Sequence, residues 1–300
     1  MTELHQAAQK DPPVWLDMDQ QALDDAYDQE KYAPNRARIV ERRIANSARA
    51  RAILGAPERV AYGPSAIERL DIFRAGEANA PVKIFLHGGA WLRNKAADYA
   101  VQAELFVRAG ATYVIPDFVN VGETGGDLAP MFDQVRRAVL WVWRNAASFG
   151  GDPARIYLSG HSSGSHLGAC VLTHDWRGDD VPPDFIKGAL FASGMYDLKP
   201  VRLSARSNYV AFTDAIEQTL SPQRHIDRLH TPLILAYGTE ETPEFQRQTR
   251  DFHAAVKAAG KPVQLITGQG YNHFELLETT ANPYGLLGRA ALAQMQLPAA

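Results

Sequence analysis

Ile156-Tyr157-Leu158-Ser159-Gly160-His161-Ser162-Ser163-Gly164-Ser165-His166-Leu167 is the stretch on which the reading of this chain turns. A short β-prone apolar run ends in Gly-x-Ser-x-Gly, and a helix-prone run follows. The pattern predicts a strand, a sharp turn and a helix. The glycines have a mechanical reason. The turn must lift one serine above the sheet edge, and a side chain at either flanking position would collide with neighbouring backbone. Ser163 and Ser165 also carry hydroxyls, but only Ser162 has glycine two residues away on both sides. The helix aims its N-terminus at this serine, where free N–H groups and the dipole favour developing negative charge. Ser162 is the candidate nucleophile. A plain strand–helix turn, or a phosphate loop, is the competing reading of the pentapeptide taken alone.

Outward from this centre, short apolar runs alternate with helical stretches. Strands are expected at 69–73, 82–86, 112–115, 156–159, 189–192, 233–237 and 263–266, and helices at 97–108, 131–147, 163–174 and 245–259. Val82 to Leu86 is apolar but for Lys83, as in a strand buried on both faces. The alternation predicts an α/β fold, a mostly parallel sheet with helices on both faces, whose chemistry lies beyond the carboxyl ends of the strands. Residues 1–57 read as an N-terminal helical arm, broken near Pro34 and packed on the core. Residues 58–300 read as the main domain. Two stretches interrupt its alternation: a Gly-rich loop over 116–130, and a lid-like insertion at about 194–228 with short helices near 214–220.

The run Val82 to Leu86 leads into His87-Gly88-Gly89-Ala90-Trp91. Glycines after a strand let backbone N–H groups face a reacting carbonyl oxygen, so Gly89 and Ala90, with Ser163 after the nucleophile, are the expected oxyanion donors. His87 is expected to hold the loop by a hydrogen bond, and Trp91 to wall the pocket or fill the core.

A serine hydroxyl needs a neighbouring imidazole to take its proton. Of the nine histidines, His273 stands on a loop after the last apolar run, in Gly270-Tyr271-Asn272-His273. It is the expected base. The order nucleophile, acid, histidine then directs attention to Gly238-Thr239-Glu240-Glu241-Thr242-Pro243-Glu244. Glu241 is the first choice for the acid and Glu240 the second. Glu244 falls in a first helical turn, where an acid is favourable regardless of catalysis.

At this point HGGAW (87–91), SGHSSGSHL (159–167) and GYNHF (270–274) together resemble the kynurenine formamidase-like esterases of the α/β-hydrolase superfamily, near the hormone-sensitive-lipase branch. YGPSAIERLDIF (62–73), ASGMYDLKPVRLS (192–204) and ETPEFQRQTRDF (241–252) are similar to further segments of that group, so the likeness spans nearly the whole chain. The resemblance implies the α/β-hydrolase fold, hydrolysis of esters or of N-formyl aromatic amides, and no cofactor. It places Ser162 as nucleophile, His273 as base and Glu241 where the acid stands. Many relatives carry Asp there, so the acid loop must differ slightly.

Composition bounds the alternatives. The chain has 300 residues, 46% of them hydrophobic, and a net charge of -3, which leaves no basic footprint for nucleic acid. No run has the roughly 18 apolar residues of a membrane span. One cysteine, Cys170, excludes an internal disulfide. A cytoplasmic protein with a small-molecule ester or amide substrate is expected, and a homodimer is compatible with it. His166, Cys170 and His174 recur every four residues on one helix. Structural metal sites usually draw four ligands from separate segments, so this reads as a core stripe, with no metal expected. Trp91, Trp176, Tyr196 and Tyr209 are the expected substrate-binding aromatics, with Phe212 nearby. Arg202 and Arg206 are weighed as contacts for a substrate carboxylate.

Three readings follow: a carboxylesterase for small or aromatic esters, an arylformamidase-type amidase, and, more remotely, a non-catalytic receptor on a hydrolase fold.

Overall fold

The computed structural model describes residues 11–299. Its centre is an eight-stranded sheet of β1 (Glu58–Ala61), β2 (Arg69–Phe73), β3 (Ala80–Leu86), β4 (Thr112–Pro116), β5 (Gly151–His161), β6 (Ile186–Ala192), β7 (Leu233–Gly238) and β8 (Val263–Gly268), in the order β1-β2-β4-β3-β5-β6-β7-β8. β1 and β2 pair antiparallel, as do β2 and β4, and the remaining pairs are parallel. The chain is an α/β-hydrolase fold. The carboxyl ends of β3, β5, β6, β7 and β8 therefore open on one edge of the sheet, and the loops carrying the candidate residues meet there.

Alternate residues along the strands feed two separate cores. Ile84 and Leu86 of β3, Leu158 of β5 and Phe191 of β6 pack on one face, while Phe85, Tyr113, Tyr157 and Leu190 pack on the other. A period of two with both sides apolar is what helices on both faces require. The helix Ala129–Asn145 buries Met131, Val135, Val139 and Val142, which recur at helical spacing.

β1 has no counterpart among the expected strands. It is a four-residue edge strand with charged, mostly exposed side chains, so it lacks an apolar run. The expected helix at 97–108 begins instead as a 3-10 turn, Ala96–Gln102, before the helix Ala103–Arg108. The arm comprises Gln20–Ala26, Gln29–Tyr32 and the longer helix Arg36–Leu54, with its break around Pro34. Residues 1–10 of the expected arm lie outside the described residues. The insertion is built of short helices, Leu198–Leu203 and Asp214–Thr219 with 3-10 turns between and after them.

Lys83 departs from the apolar pattern. It is 2% exposed on β3, and its ammonium lies 4.6 Å from the centroid of the Phe106 ring. Burial pushes it down to about 7. In the unfolded chain a lysine holds its proton to about pH 10. Between about pH 7 and 10 the unfolded chain then binds more protons than the folded one, so this group makes stability rise with pH across that window. Below about 7 both states are protonated, and the penalty is fully present. Lys83→Met should raise folding stability at pH 7 by about 2 kcal/mol, and the pH slope above 7 should flatten. Denaturant unfolding at pH 7 and 9.5 checks both. A less stable variant would mean that the ammonium has a compensating partner.

Candidate active site

Ser162 sits at the turn between β5 and the helix Ser163–Leu172, with φ 58° and ψ -126°. This is a left-handed conformation that a non-glycine residue adopts only under constraint. The constraint is visible on both sides. A Cβ at Gly160 would stand 2.6 Å from the carbonyl oxygen of Gly164, and one at Gly164 would stand 2.1 Å from that of Leu86. Ser162 N–H donates to the Ala192 carbonyl at 2.9 Å, tying the turn to the end of β6.

The loop after β3 closes against this turn. A Cβ at Gly88 would meet the His161 carbonyl oxygen at 2.7 Å and the Ser162 Cβ at 3.0 Å. Gly89 (φ 129°), Ala90 (φ 55°) and Trp91 (φ 63°) all have positive φ. Among the described residues the N–H groups of Gly89, Ala90 and Ser163 donate to no protein acceptor, whereas that of Trp91 donates to Ser163 Oγ at 3.3 Å. Asn94 Nδ2 donates to the Gly88 carbonyl at 2.9 Å and holds the loop. His87 is buried, its Nδ1 donating to the same carbonyl at 3.1 Å, and its ring stacks on Phe118 at 4.4 Å. Burial holds its pKa below the ordinary histidine value.

His273 is the first residue of the helix His273–Glu278 rather than part of a loop. The reason lies in a capping box: Asn272 Oδ1 accepts from the amides of Phe274 and Glu275, and Glu275 accepts from the amide of Asn272. Asn272-x-x-Glu275 is legible in the sequence and marks the helix start. His273 Nδ1 donates to Glu241 Oε2 at 2.9 Å, which leaves Nε2 as the nitrogen able to accept. The other carboxylate oxygen, Oε1, accepts from Ser193 Oγ and from the Gly238 amide, each at 2.7 Å. Glu241 is thus the carboxylate brought to His273. Glu240 is exposed.

Ser162, His273, Gly89, Ala90 and His161 line one cavity of about 480 Å³. No hydrogen bond joins Ser162 Oγ to His273 in this structure; the two groups share the cavity. Such bonds often tighten only when substrate is bound. His161 was not singled out from the sequence. Its Nε2 donates to the His273 carbonyl at 2.9 Å, and the two rings lie 4.4 Å apart. Burial, first, and the nearby His273 ring push its pKa well below the ordinary histidine value, against the upward pull of the His273 carbonyl. Ser193 was also missed, although a serine directly after β6 lies at the sheet edge where chemistry is expected.

With the geometry in place, the chain can be set beside known proteins. The family model BD-FAE matches residues 70–177. A kynurenine formamidase of Danio rerio is 28% identical over 291 residues, covering 93% of this chain and 97% of the relative. A kynurenine formamidase of Salmo salar is 30% identical over 244 residues, covering 77% of this chain and 79% of the relative. The chain belongs to the kynurenine formamidase family. It is a serine hydrolase of the esterase type. Among solved structures, Thermogutta terrifontis esterase 2 phosphoramylated by tabun superposes with a TM-score of 0.65 at 22% identity, over 81% of this chain and 93% of that one, and shares the fold. No helix among the described residues is long and apolar enough to cross a membrane.

Within this family member the expected aromatics divide. Tyr209 lines the cavity and accepts from Arg206 Nη1 at 2.6 Å. The other three stand off it. Trp91 is buried, with Nε1 donating to His166 Nδ1 at 3.2 Å. Tyr196 is buried and stacks on Phe252 at 4.3 Å. Trp176 packs between His174 and Phe185 beside a separate cleft. Hydrophobic size alone does not separate a pocket wall from core. In the His166 stripe, His166 Nε2 donates to the Leu220 carbonyl at 2.7 Å, and burial pushes this histidine down to about 4. Arg202 pairs with Asp214 and Glu217, while Arg206 faces the cavity.

Arg43, from the arm, is the unexpected wall. It is 9% exposed and lines the same cavity, and it makes no hydrogen bond or ion pair among the described residues. Its guanidinium lies 4.2 Å from the centroid of the Tyr99 ring.

Proposed function

We propose that this protein cleaves small or aromatic carboxylic esters in two acyl-transfer steps. His273 takes the proton of Ser162, whose oxygen attacks the carbonyl carbon. The amides of Gly89, Ala90 and Ser163 hold the oxyanion, and removing one such donor typically costs about 3–4 kcal/mol of transition-state stabilisation. The alcohol leaves with the proton from His273. Water then attacks the acyl-enzyme, with the same imidazole as base, and the acid is released. Glu241 fixes the tautomer of His273 and stabilises the imidazolium. The observation that carries this reading is the convergence, on one cavity, of a strained serine, unpaired amides and an imidazole whose far nitrogen is already bonded to a buried carboxylate. A small-molecule substrate suits a cavity of about 480 Å³. The lone cysteine is in keeping with a cytoplasmic setting.

A second reading, an arylformamidase, is favoured by Arg43 and Arg206. A buried guanidinium without a carboxylate partner is costly. A substrate bearing its own carboxylate, as N-formylkynurenine does, would relieve that cost. Side-by-side kcat/KM values on N-formylkynurenine and on 4-nitrophenyl acetate test the two. An ester value at least tenfold higher is the expected outcome. The reverse ratio would transfer the assignment to the formamide.

A further inference from the structure

The N-terminal arm touches the loops of both the acid and the base. Gln29, buried, approaches Glu241 Oε2 with its Nε2 at 3.4 Å, and its Oε1 accepts from the Thr242 amide at 3.4 Å. Tyr27 donates its hydroxyl hydrogen to Glu244 at 2.9 Å, just after the acid loop. The closer grip is on the base. Asn35 Nδ2 donates to Glu275 Oε1 at 2.6 Å, and Asn35 Oδ1 accepts from Asn272 Nδ2 at 2.8 Å. Asn272 and Glu275 are the two members of the capping box that starts the helix at His273. One further turn along, Arg42 grips Glu278 through both Nε and Nη2, at 2.7 and 2.5 Å.

The capping box fixes the helix start relative to itself, but not relative to Ser162. From the core side His161 holds the His273 carbonyl. From the outside, Asn35 bridges the residues that flank the imidazole. We infer that Asn35 is a positioning residue for catalysis: through the Asn272–Glu275 box it sets the His273 imidazole against Ser162, which makes the arm a working part of the active site. This inference rests on the serine-hydrolase reading. A displacement of about 1 Å in a reacting group can cost on the order of a hundredfold in rate, so a polar bridge of this kind is felt in kcat.

Kinetics on 4-nitrophenyl acetate, with fluorophosphonate labelling of Ser162, test it on the full chain. Asn35→Ala should lower kcat by about 10- to 100-fold with KM within twofold, and slow the labelling in parallel. Asn35→Asp keeps the acceptor for Asn272 but sets a carboxylate against Glu275, and should lose as much. The double variant Asn35→Asp/Glu275→Gln rebuilds the bridge with donor and acceptor exchanged, and should recover kcat to within threefold of the parent. Recovery in the double variant supports positioning even if Asn35→Ala fails to fold. Full kcat in Asn35→Ala overturns the inference, as does a double variant no better than Asn35→Asp. The Ser162→Ala control separates the two failures: if that variant still turns over ester, the serine reading itself is wrong.

Discussion

Ser162→Ala should abolish turnover of 4-nitrophenyl acetate, by at least about 10⁴-fold, while leaving the melting temperature unchanged or slightly raised. The loss follows from the nucleophile's role, since removing the serine of a serine protease costs about 2 × 10⁶ in kcat. The stability side follows from local contacts. Ser162 Oγ makes no hydrogen bond among the described residues, so no polar partner is orphaned. The backbone bond from Ser162 N–H to the Ala192 carbonyl is kept by alanine. The left-handed backbone at φ 58° is equally strained with either side chain. The neighbouring hydroxyls are poor substitutes: Ser163 Oγ accepts from the Trp91 amide, and Ser165 Oγ donates to the Ala192 carbonyl at 2.7 Å. Fluorophosphonate labelling, ester turnover and a thermal melt on the same preparation check all three statements. Turnover within tenfold of the parent would place the nucleophile elsewhere.

What could be read from the sequence and what could not divide along physical lines. Gly160 and Gly164 announce a sharp turn because only backbone-sized residues fit it, and that constraint is local. The buried strands announce themselves because both faces are apolar. β1 does not, because an exposed edge strand of four residues needs no apolar pattern. Neighbouring Glu240 and Glu241 could not be ranked firmly from spacing. What separates them is where Ser193, from the end of a different strand, meets the loop. Gln29 and Asn35 lie further beyond reach. Their partners stand 212 to 240 residues away in the chain, and no periodicity connects a polar residue in an arm to a loop that distant. Trp91, Trp176 and Tyr196 fail for the opposite reason: large aromatics fill cores as readily as they wall pockets.

Glu241→Gln should lower kcat by about 10⁴ with little change in KM, the loss seen when the acid of a protease triad becomes an amide. Every neighbour of this carboxylate is a donor: Ser193 Oγ and the Gly238 amide on Oε1, His273 Nδ1 and Gln29 Nε2 on Oε2. A glutamine offers one accepting oxygen and brings an NH₂ group. If the oxygen faces Ser193 and Gly238, the NH₂ faces His273 Nδ1, which must then give up its hydrogen. The imidazole proton moves to Nε2, and the ring can no longer take a proton from Ser162. If the amide turns over, its NH₂ opposes the Gly238 N–H, which loses its acceptor in a buried site. That orientation would keep the hydrogen on Nδ1, but at the cost of a buried, unpaired Gly238 amide, so the first orientation, with the wrong tautomer, prevails. Glu240→Gln, on an exposed side chain one residue earlier, should stay within threefold of the parent. Steady-state kinetics on both variants decide between the two carboxylates, and a larger loss from Glu240→Gln would transfer the acid's role to that residue.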